Sequence, residues 1–314
     1  RVMFMLTVLK ALADPCRLRL VAILLTGEFT VQELTWIMKM GQSRISRHLK
    51  ILTEAGILSV KYQGTWSYYR AEGDAPFFFL IRGAIKKGLE KLPERAADLA
   101  ASAEVLEARR KRSQAFFDKH ACQWDDLAKT LLAIPDYREL LLALVPDDKV
   151  VVEVGIGTGG LLPALVAKST RVIGVDHSTS MLDETRRRLG QIGVSGIDLR
   201  LGDMNHLPMP DKSVGCAILN MVLHHAAAPP SVLAEVRRIL MPGGILVLAD
   251  LARHEHEWAR ERLADQWLGF ETGELEAWLS AAGFVDIRCG KVSGTVEQQQ
   301  VLVLRAASRP DIFT

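Results

Sequence analysis

In residues 151–160, VVEVGIGTGG, four glycines and one carboxylate crowd into ten positions behind a run of valines. Gly155, Gly157 and Gly160 satisfy G-x-G-x-x-G, and Asp176 follows about 20 residues after the first of them, the spacing of a dinucleotide-binding loop and its ribose acid. Glu153 changes what such a loop favours. A pyrophosphate seeks bare amides at the positive end of a helix, and a carboxylate beside the loop repels it. S-adenosylmethionine brings an ammonium and a sulfonium instead, so the same carboxylate attracts it, directly or through water. NAD is the alternative that the loop and Asp176 leave open.

Histidines supply the next chemistry. His224 and His225, in ILNMVLHH, are the weak candidates for a catalytic base if an acceptor must lose a proton, one facing a pocket and the other packing or meeting solvent. His254 and His256 fall in RHEHEWARERLADQWLGFE, which reads as a helix over the site. An i, i+2 pair on a helix points about 200° apart and makes a poor metal site. Cys16, Cys122, Cys216 and Cys289 lie far apart without a C-x-x-C pair, so neither a zinc site nor a disulfide framework is expected.

A cationic face forms a third set, within QSRISRHLKILTEAG. With Ile45 at the centre of a helical wheel, Leu49 and Leu52 share its buried stripe. Ser43, Arg47 and Lys50 point the opposite way, and Arg44 and Ser46 flank them. Such a face suits phosphates and base edges in a major groove. Lys61 and Arg70 add charge on the next segment of the chain. His48 lies near the buried stripe, which favours a packed or phosphate-contacting ring over a metal ligand.

The elements that must position these groups fall into two styles. From Leu6 to about Leu52 apolar residues recur at helical spacing, with a stop and restart at Asp14-Pro15. Thr30 and Glu33 make a T-x-x-E capping box, Met40-Gly41 is a tight turn, and Gly56 ends the next helix. ILSVKYQGTWSYYRA then alternates around Gln63-Gly64 as a hairpin. That order is a winged helix-turn-helix. Residues 77–112 read as helix, with PERAADLAASAEVLEARRKR a polar linker or a dimer-packing arm. From Val150 strands alternate with helices: KVVVEV, RVIGVD, IDLRLGD, SVGCAILN and GILVLAD are strands, and TSMLDETRRRLG and PPSVLAEVRRILM are helices. A helix GELEAWLSAAG and strands FVDIRCG and QQQVLVLRAA close the pattern, which predicts a parallel, doubly wound sheet.

Charge divides along the same line. Residues 1–91 carry fourteen Lys/Arg against seven Asp/Glu, a net +7, and the remainder carries 25 against 30, a net −5. A basic head on an acidic body points to a polyanionic partner for the head. The chain is 49% hydrophobic and 314 residues long, enough for two domains with full cores. No stretch is apolar enough for a membrane span and no secretory signal opens the chain, so a reducing cytoplasm is the expected compartment.

LKALADPCRLRLVAILLTGEFTVQEL and QSRISRHLKILTEAGIL, over roughly residues 5–72, resemble the ArsR-type bacterial repressors. The resemblance implies a homodimer on palindromic operator DNA, with Gln42, Ser43, Ser46 and Arg47 as contacts. Many such repressors sense metals through cysteines in the helix before the recognition helix. Here that segment reads EFTVQEL, with Phe29 and Val31 and no thiol. Glu153-x-Gly155-x-Gly157-x-Gly159, together with VIGVDHSTSML, LGDMNHLP and ILNMVLHH, resembles the class I methyltransferases over about residues 114–306. That likeness implies ribose hydroxyls on Asp176, with His177 beside it and Met181 near the ribose or adenine. It places Asp203 and the Met204 amide at adenine and Asn220 near the methionine end. SQAFFDKHACQWDDLAK is similar to the helix that covers the ligand in such enzymes, with Phe116, Phe117 and Trp124 as a lid or a hydrophobic anchor. Arsenite methyltransferases share this domain but rely on clustered cysteines, which Cys122 and Cys289 do not supply in sequence.

The expected fold is therefore an α-rich winged helix-turn-helix at residues 1–91, a helical linker or dimer arm at 92–113, and an α/β doubly wound, Rossmann-like class I methyltransferase domain at 114–308. The expected function is a DNA-binding transcriptional repressor whose second domain binds S-adenosylhomocysteine or S-adenosylmethionine as effector. The alternative is an active S-adenosylmethionine-dependent small-molecule methyltransferase that carries a DNA-binding domain. Methyl transfer from a sulfonium needs little beyond alignment and a nucleophilic acceptor, so either use suits the same loop.

Overall fold

Proline sets the first break. Helix α1 (Val2–Leu12) stops before Asp14-Pro15, and α2 (Pro15–Leu24) restarts with Pro15 in its first turn, where its missing N–H costs nothing. The Asp14 carboxylate caps the new helix by accepting the Arg17 N–H at 3.0 Å. The structure is a computed structural model and describes residues 2–295 and 299–310. The expected last strand begins at Gln298, which lies outside the described residues.

After β1 (Phe29–Thr30), α3 (Val31–Met38) opens on the predicted capping box: the Glu33 N–H donates to Thr30 Oγ1 at 3.3 Å and the Thr30 N–H donates to the Glu33 carboxylate at 2.8 Å. Helix α4 (Gln42–Glu54) ends at Gly56, whose φ of +66° suits the left-handed turn after a helix. Strands β2 (Ser59–Gln63) and β3 (Trp66–Arg70) form the hairpin, and β1 joins them in the order β1-β3-β2. The core beneath is apolar, from Leu20, Ile23, Phe29, Ile45, Leu49 and Leu52.

The long helix expected at 77–112 is two helices, α5 (Pro76–Leu89) and α6 (Arg95–His120). Pro93 falls in the gap, lacks an N–H and pushes its predecessor out of the helical region. The chain divides into two compact units after Arg109, inside α6. Within the first unit the Arg109 guanidinium, 6% exposed, forks onto the Glu33 carboxylate at 2.6 to 2.9 Å. The capping glutamate thus holds a helix terminus and a buried cation together.

The second unit continues through α7 (Trp124–Leu131), α8 (Arg138–Leu144), β4 (Val150–Val154), α9 (Leu162–Val166), β5 (Arg171–Asp176), α10 (Thr179–Gln191), β6 (Ile197–Leu201) and β7 (Val214–Asn220). It ends with α11 (Pro229–Ile239), β8 (Leu240–Leu251), α12 (Trp258–Arg262), α13 (Thr272–Ala281), β9 (Phe284–Val292) and β10 (Val301–Ser308). Its seven strands run in the order β6-β5-β4-β7-β8-β10-β9. The neighbours from β6 to β8 are parallel, while β10 is antiparallel to both β8 and β9. The order reverses between β4 and β7, which opens a crevice at the carboxyl ends of those strands. Both strands of that crevice are buried on both faces, which is why their sequences read as nearly continuous apolar runs. His254 and His256 do not lie on a helix: α12 begins only at Trp258, and the two rings come together in the preceding loop with centroids 5.1 Å apart. Among the described residues no helix is long and apolar enough to cross a membrane.

Candidate functional site

The glycine loop leaves β4 at the switch point. Gly155 has φ +72° and donates its N–H to the Val175 carbonyl at 2.7 Å, while a Cβ there would stand 2.2 Å from Val222 Cγ2. Gly157 donates its N–H to Asp176 Oδ2 at 2.9 Å, and the Ser178 N–H donates to Asp176 Oδ1 at 2.9 Å. The acid at the end of β5 is thereby fixed to the loop at the end of β4. Burial raises the Asp176 pKa, and the nearby His177 and these N–H donors oppose the rise.

A cavity of about 280 Å³ opens here, lined by Glu153, Gly155, Gly157, Tyr137, Asn220 and His224 among others. A smaller one of about 40 Å³ shares Gly155 and Gly157 with it and adds Asp176, His177, Met181, Met204, Phe117 and His225. Trp124 lines both, and Phe117 stacks edge-on against Trp124 and His225, with Phe116 against Trp124 as well. Gly159 and Asp203 are the two expected ligand residues that line neither cavity. Gly159 packs against Thr185 and Leu162. Asp203 accepts from the Asn205 N–H at 2.7 Å and pairs with Arg110 at 2.7 Å. Burial pushes its carboxyl up, yet Asn205 and Arg110 outweigh that and hold it below the ordinary range.

Glu153 is 1% exposed. Burial pushes its carboxyl up to about 8, against a hydrogen bond from the Asn220 side chain. The Tyr137 hydroxyl donates to Asn220 Oδ1 at 2.8 Å and so orients that amide. Glu153 Oε2 has no hydrogen-bond partner among the described residues.

Both candidate bases are buried, and neither meets solvent. His224 lines the larger cavity and donates from Nδ1 to Asp250 Oδ1 at 2.6 Å; the Leu223 N–H donates to Asp250 Oδ2 at 2.9 Å. Burial opposes charge on His224, but Asp250 and Asp265 together raise it to about 9. Burial and the neighbouring His224 hold His225 well below the ordinary imidazole range. A ring that keeps its proton at neutral pH is a poor base, which counts against His224 in that role. Sequence reasoning missed Tyr137, Asp250 and Asp265, whose side chains contact the expected site residues Asn220 and His224. Asp250 ends the strand GILVLAD, the same strand-end position that marks Asp176, and could have been found that way; Asp265 carries no such signal.

In the first unit α4 exposes Gln42, Ser43, Arg44, Ser46, Arg47 and Lys50 and buries Ile45, His48, Leu49 and Leu52. Lys61 and Arg70 on the hairpin are half-buried, and Arg70 is paired with Glu28 at 3.5 Å and Glu72 at 3.0 Å. Arg70 is therefore committed within its own unit rather than outward.

A family described as bacterial regulatory protein, arsR family, matches residues 14–60, and one described as methyltransferase domain matches residues 152–248. The arsenic resistance transcriptional regulator ArsR1 of Pseudomonas putida is 38% identical over 100 residues, covering 31% of this chain and 78% of that protein. The arsenite methyltransferase of Halobacterium salinarum is 29% identical over 151 residues, covering 45% of this chain and 38% of that one. A possible histamine N-methyltransferase of Thermotoga maritima shares the fold, with a TM-score of 0.52 and 22% identity over 63% of this chain and all of its own. The chain spans 29% to 58% of the length of the first curated relatives it matches. An arsR-like helix-turn-helix unit is thus fused to a unit with the fold of the S-adenosylmethionine-binding class I methyltransferases.

Proposed function

This chain belongs to the arsR family of bacterial regulatory proteins, and we propose that its second unit transfers the methyl group of S-adenosylmethionine to a small-molecule acceptor. One observation carries the reading: Glu153, with an unpaired buried oxygen, and Asp176 stand at the ends of adjacent parallel strands around a loop where a Cβ at Gly155 would not fit. The unpaired oxygen suits an ammonium, and Asp176 suits a ribose. When bound, S-adenosylmethionine supplies an electrophilic methyl group on its sulfonium. Glu153 and Asn220 hold the amino-acid end, Asp176 and Met181 the nucleoside end, and Phe117 and Trp124 exclude water. Gly159 then serves the packing of the loop, and Asp203 reaches adenine only by releasing Arg110. The methyltransferases among the relatives favour catalysis over mere binding.

A second reading treats the same cavity as a receptor. In it S-adenosylhomocysteine or S-adenosylmethionine shifts a homodimeric repressor on operator DNA, and the exposed cationic face of α4 favours it. A ligand that prefers one DNA-binding state about 100-fold supplies roughly 2.7 kcal/mol, enough to move occupancy.

Incubation with methyl-labelled S-adenosylmethionine and a metabolite extract is expected to yield a labelled small molecule. Asp176→Ala should cut both label transfer and ligand affinity by about 100-fold, the order expected when a buried charge-assisted hydrogen bond is lost. Ligand binding without label transfer, together with a ligand-dependent change in operator affinity, would replace catalysis by the receptor reading. Arg47→Ala is expected to weaken operator binding about tenfold and to lower its salt slope by about 1. Its adenosyl affinity should match the wild type by calorimetry. A normal gel shift removes Arg47 from the DNA face.

A further inference from the structure

Beside the larger cavity three buried groups, two imidazoles and a carboxylate, converge. One ligand atom each from His224, His225 and Asp265 lies within 4.8 Å of the others. The Asp265 side chain is fully buried, and neither of its carboxylate oxygens has a hydrogen-bond partner among the described residues. His224 Nε2 and His225 Nδ1 each stand 3.7 Å from Asp265 Oδ1. That is too long for an N–H···O hydrogen bond. It is near the roughly 3.3 Å that separates two ligands of one tetrahedral ion at about 2.0–2.1 Å. We infer that His224, His225 and Asp265 form a site for one divalent transition-metal ion.

Orientation supports this independently. His224 commits Nδ1 to Asp250, so Nε2 is the nitrogen turned toward Asp265, and an ion binding there displaces its proton. A carboxylate behind a ligating imidazole is the usual support that fixes its tautomer and raises its basicity. His225 Nδ1 donates to the Ala264 carbonyl at 3.3 Å, a hydrogen bond the ion would displace, and its Nε2 has no partner among the described residues. Two carboxylates, Asp250 and Asp265, face two imidazoles, and a dication brings that cluster to neutrality. Two imidazoles and one carboxylate select a borderline ion such as Zn²⁺, Co²⁺ or Fe²⁺ over Mg²⁺ or Ca²⁺. Three protein ligands leave a coordination position open, the arrangement of catalytic rather than structural sites. His224 lines the larger cavity, so an oxygen or sulfur atom of the methyl acceptor is the group that position takes. This last step rests on the methyltransferase reading; metal binding itself does not. The other cluster with ligand-like spacing, Asp14, Cys16 and His48, has its carboxylate occupied as the cap of α2.

The test uses the full chain stripped with a chelator and titrated with Zn²⁺ and, separately, Co²⁺. One equivalent is expected to bind, with visible Co²⁺ absorption of a four- or five-coordinate nitrogen and oxygen site. Asp265→Asn and His225→Gln should each weaken Zn²⁺ at least 100-fold, whereas Cys16→Ser should not. Adenosyl-ligand affinity of Asp265→Asn should stay within threefold of wild type, which separates loss of the metal site from failure of the methyltransferase reading. If either variant does not fold, histidine-nitrogen coupling to the ion in wild-type protein decides the question. Absence of stoichiometric binding, six-coordinate Co²⁺ without histidine, or binding kept in both variants overturns the site and leaves a proton shared among His224, Asp250 and Asp265.

Discussion

Glu153→Gln is expected to weaken the adenosyl ligand at least 100-fold while making the ligand-free protein more stable above pH 8. Both effects come from one buried carboxyl that burial pushes up to about 8. The ligand's ammonium needs the ionised form. In the wild type, affinity should therefore climb as pH rises toward 8, by up to about tenfold per unit, and then level off. Glutamine keeps the shape but not the charge, so this dependence should vanish in the variant. Stability runs the other way. The folded-state value lies above the ordinary 4.5, so between 4.5 and about 8 the folded protein holds a proton that the unfolded chain has lost. Wild-type stability therefore falls as pH rises through that window, and glutamine removes the loss. Calorimetric titration and thermal melts of both proteins between pH 6 and 9 measure the two effects. Equal ligand affinity in wild type and variant would remove Glu153 from the site.

Gly155→Ala is the second large effect, expected to cost about 2–4 kcal/mol of stability and to abolish ligand binding. Its new Cβ would meet Val222 Cγ2 at 2.2 Å and would have to hold φ at +72°. The two costs separate. Val222→Ala in the same chain removes the Cγ2 contact but keeps the residue 222 Cβ at 2.9 Å from the new Cβ. It should recover only part of the steric cost and leave the backbone strain of about 1 kcal/mol untouched. Gly157→Ala is the contrast, because its φ is +53° but the nearest atom outside the loop is Trp124 Nε1 at 4.0 Å. It should cost only about 1 kcal/mol. Denaturant melts of the four proteins check this, and a Gly155→Ala variant as stable as Gly157→Ala would show that the loop relaxes away from Val222.

Range explains which of these features the amino-acid order reveals. The Thr30–Glu33 box, the Asp14 cap at Pro15 and the Gly56 stop each act over about four residues or fewer, so local composition writes them. Glu153, Gly155 and Asp176 are legible because strand ends carry ligand groups in a doubly wound sheet, and strand ends are marked by where apolar runs stop. The helix expected through His254 and His256 fails because only five residues, Trp258–Arg262, take up the segment's helical spacing, while its start is drawn into the loop. Arg70 reads as free for a polyanion, yet Glu72, two positions on, pairs with it, and so does Glu28, 42 positions away, which nothing local reveals.

Periodicity, caps and glycines are local and need no partner to be read. They suffice for the two units, the helix-turn-helix with its cationic face, and a loop suited to a cationic nucleoside. The remainder belongs to the tertiary fold: Gly159 and Asp203 stand off the cavity, Tyr137 and Asn220 brace Glu153, and Asp250 and Asp265 converge on His224. Asp250 lies 26 positions from His224, and the pairing exists because β7 and β8 are parallel neighbours that bring their carboxyl ends together. Strand order sets such encounters, and hydrophobic pattern leaves it undetermined.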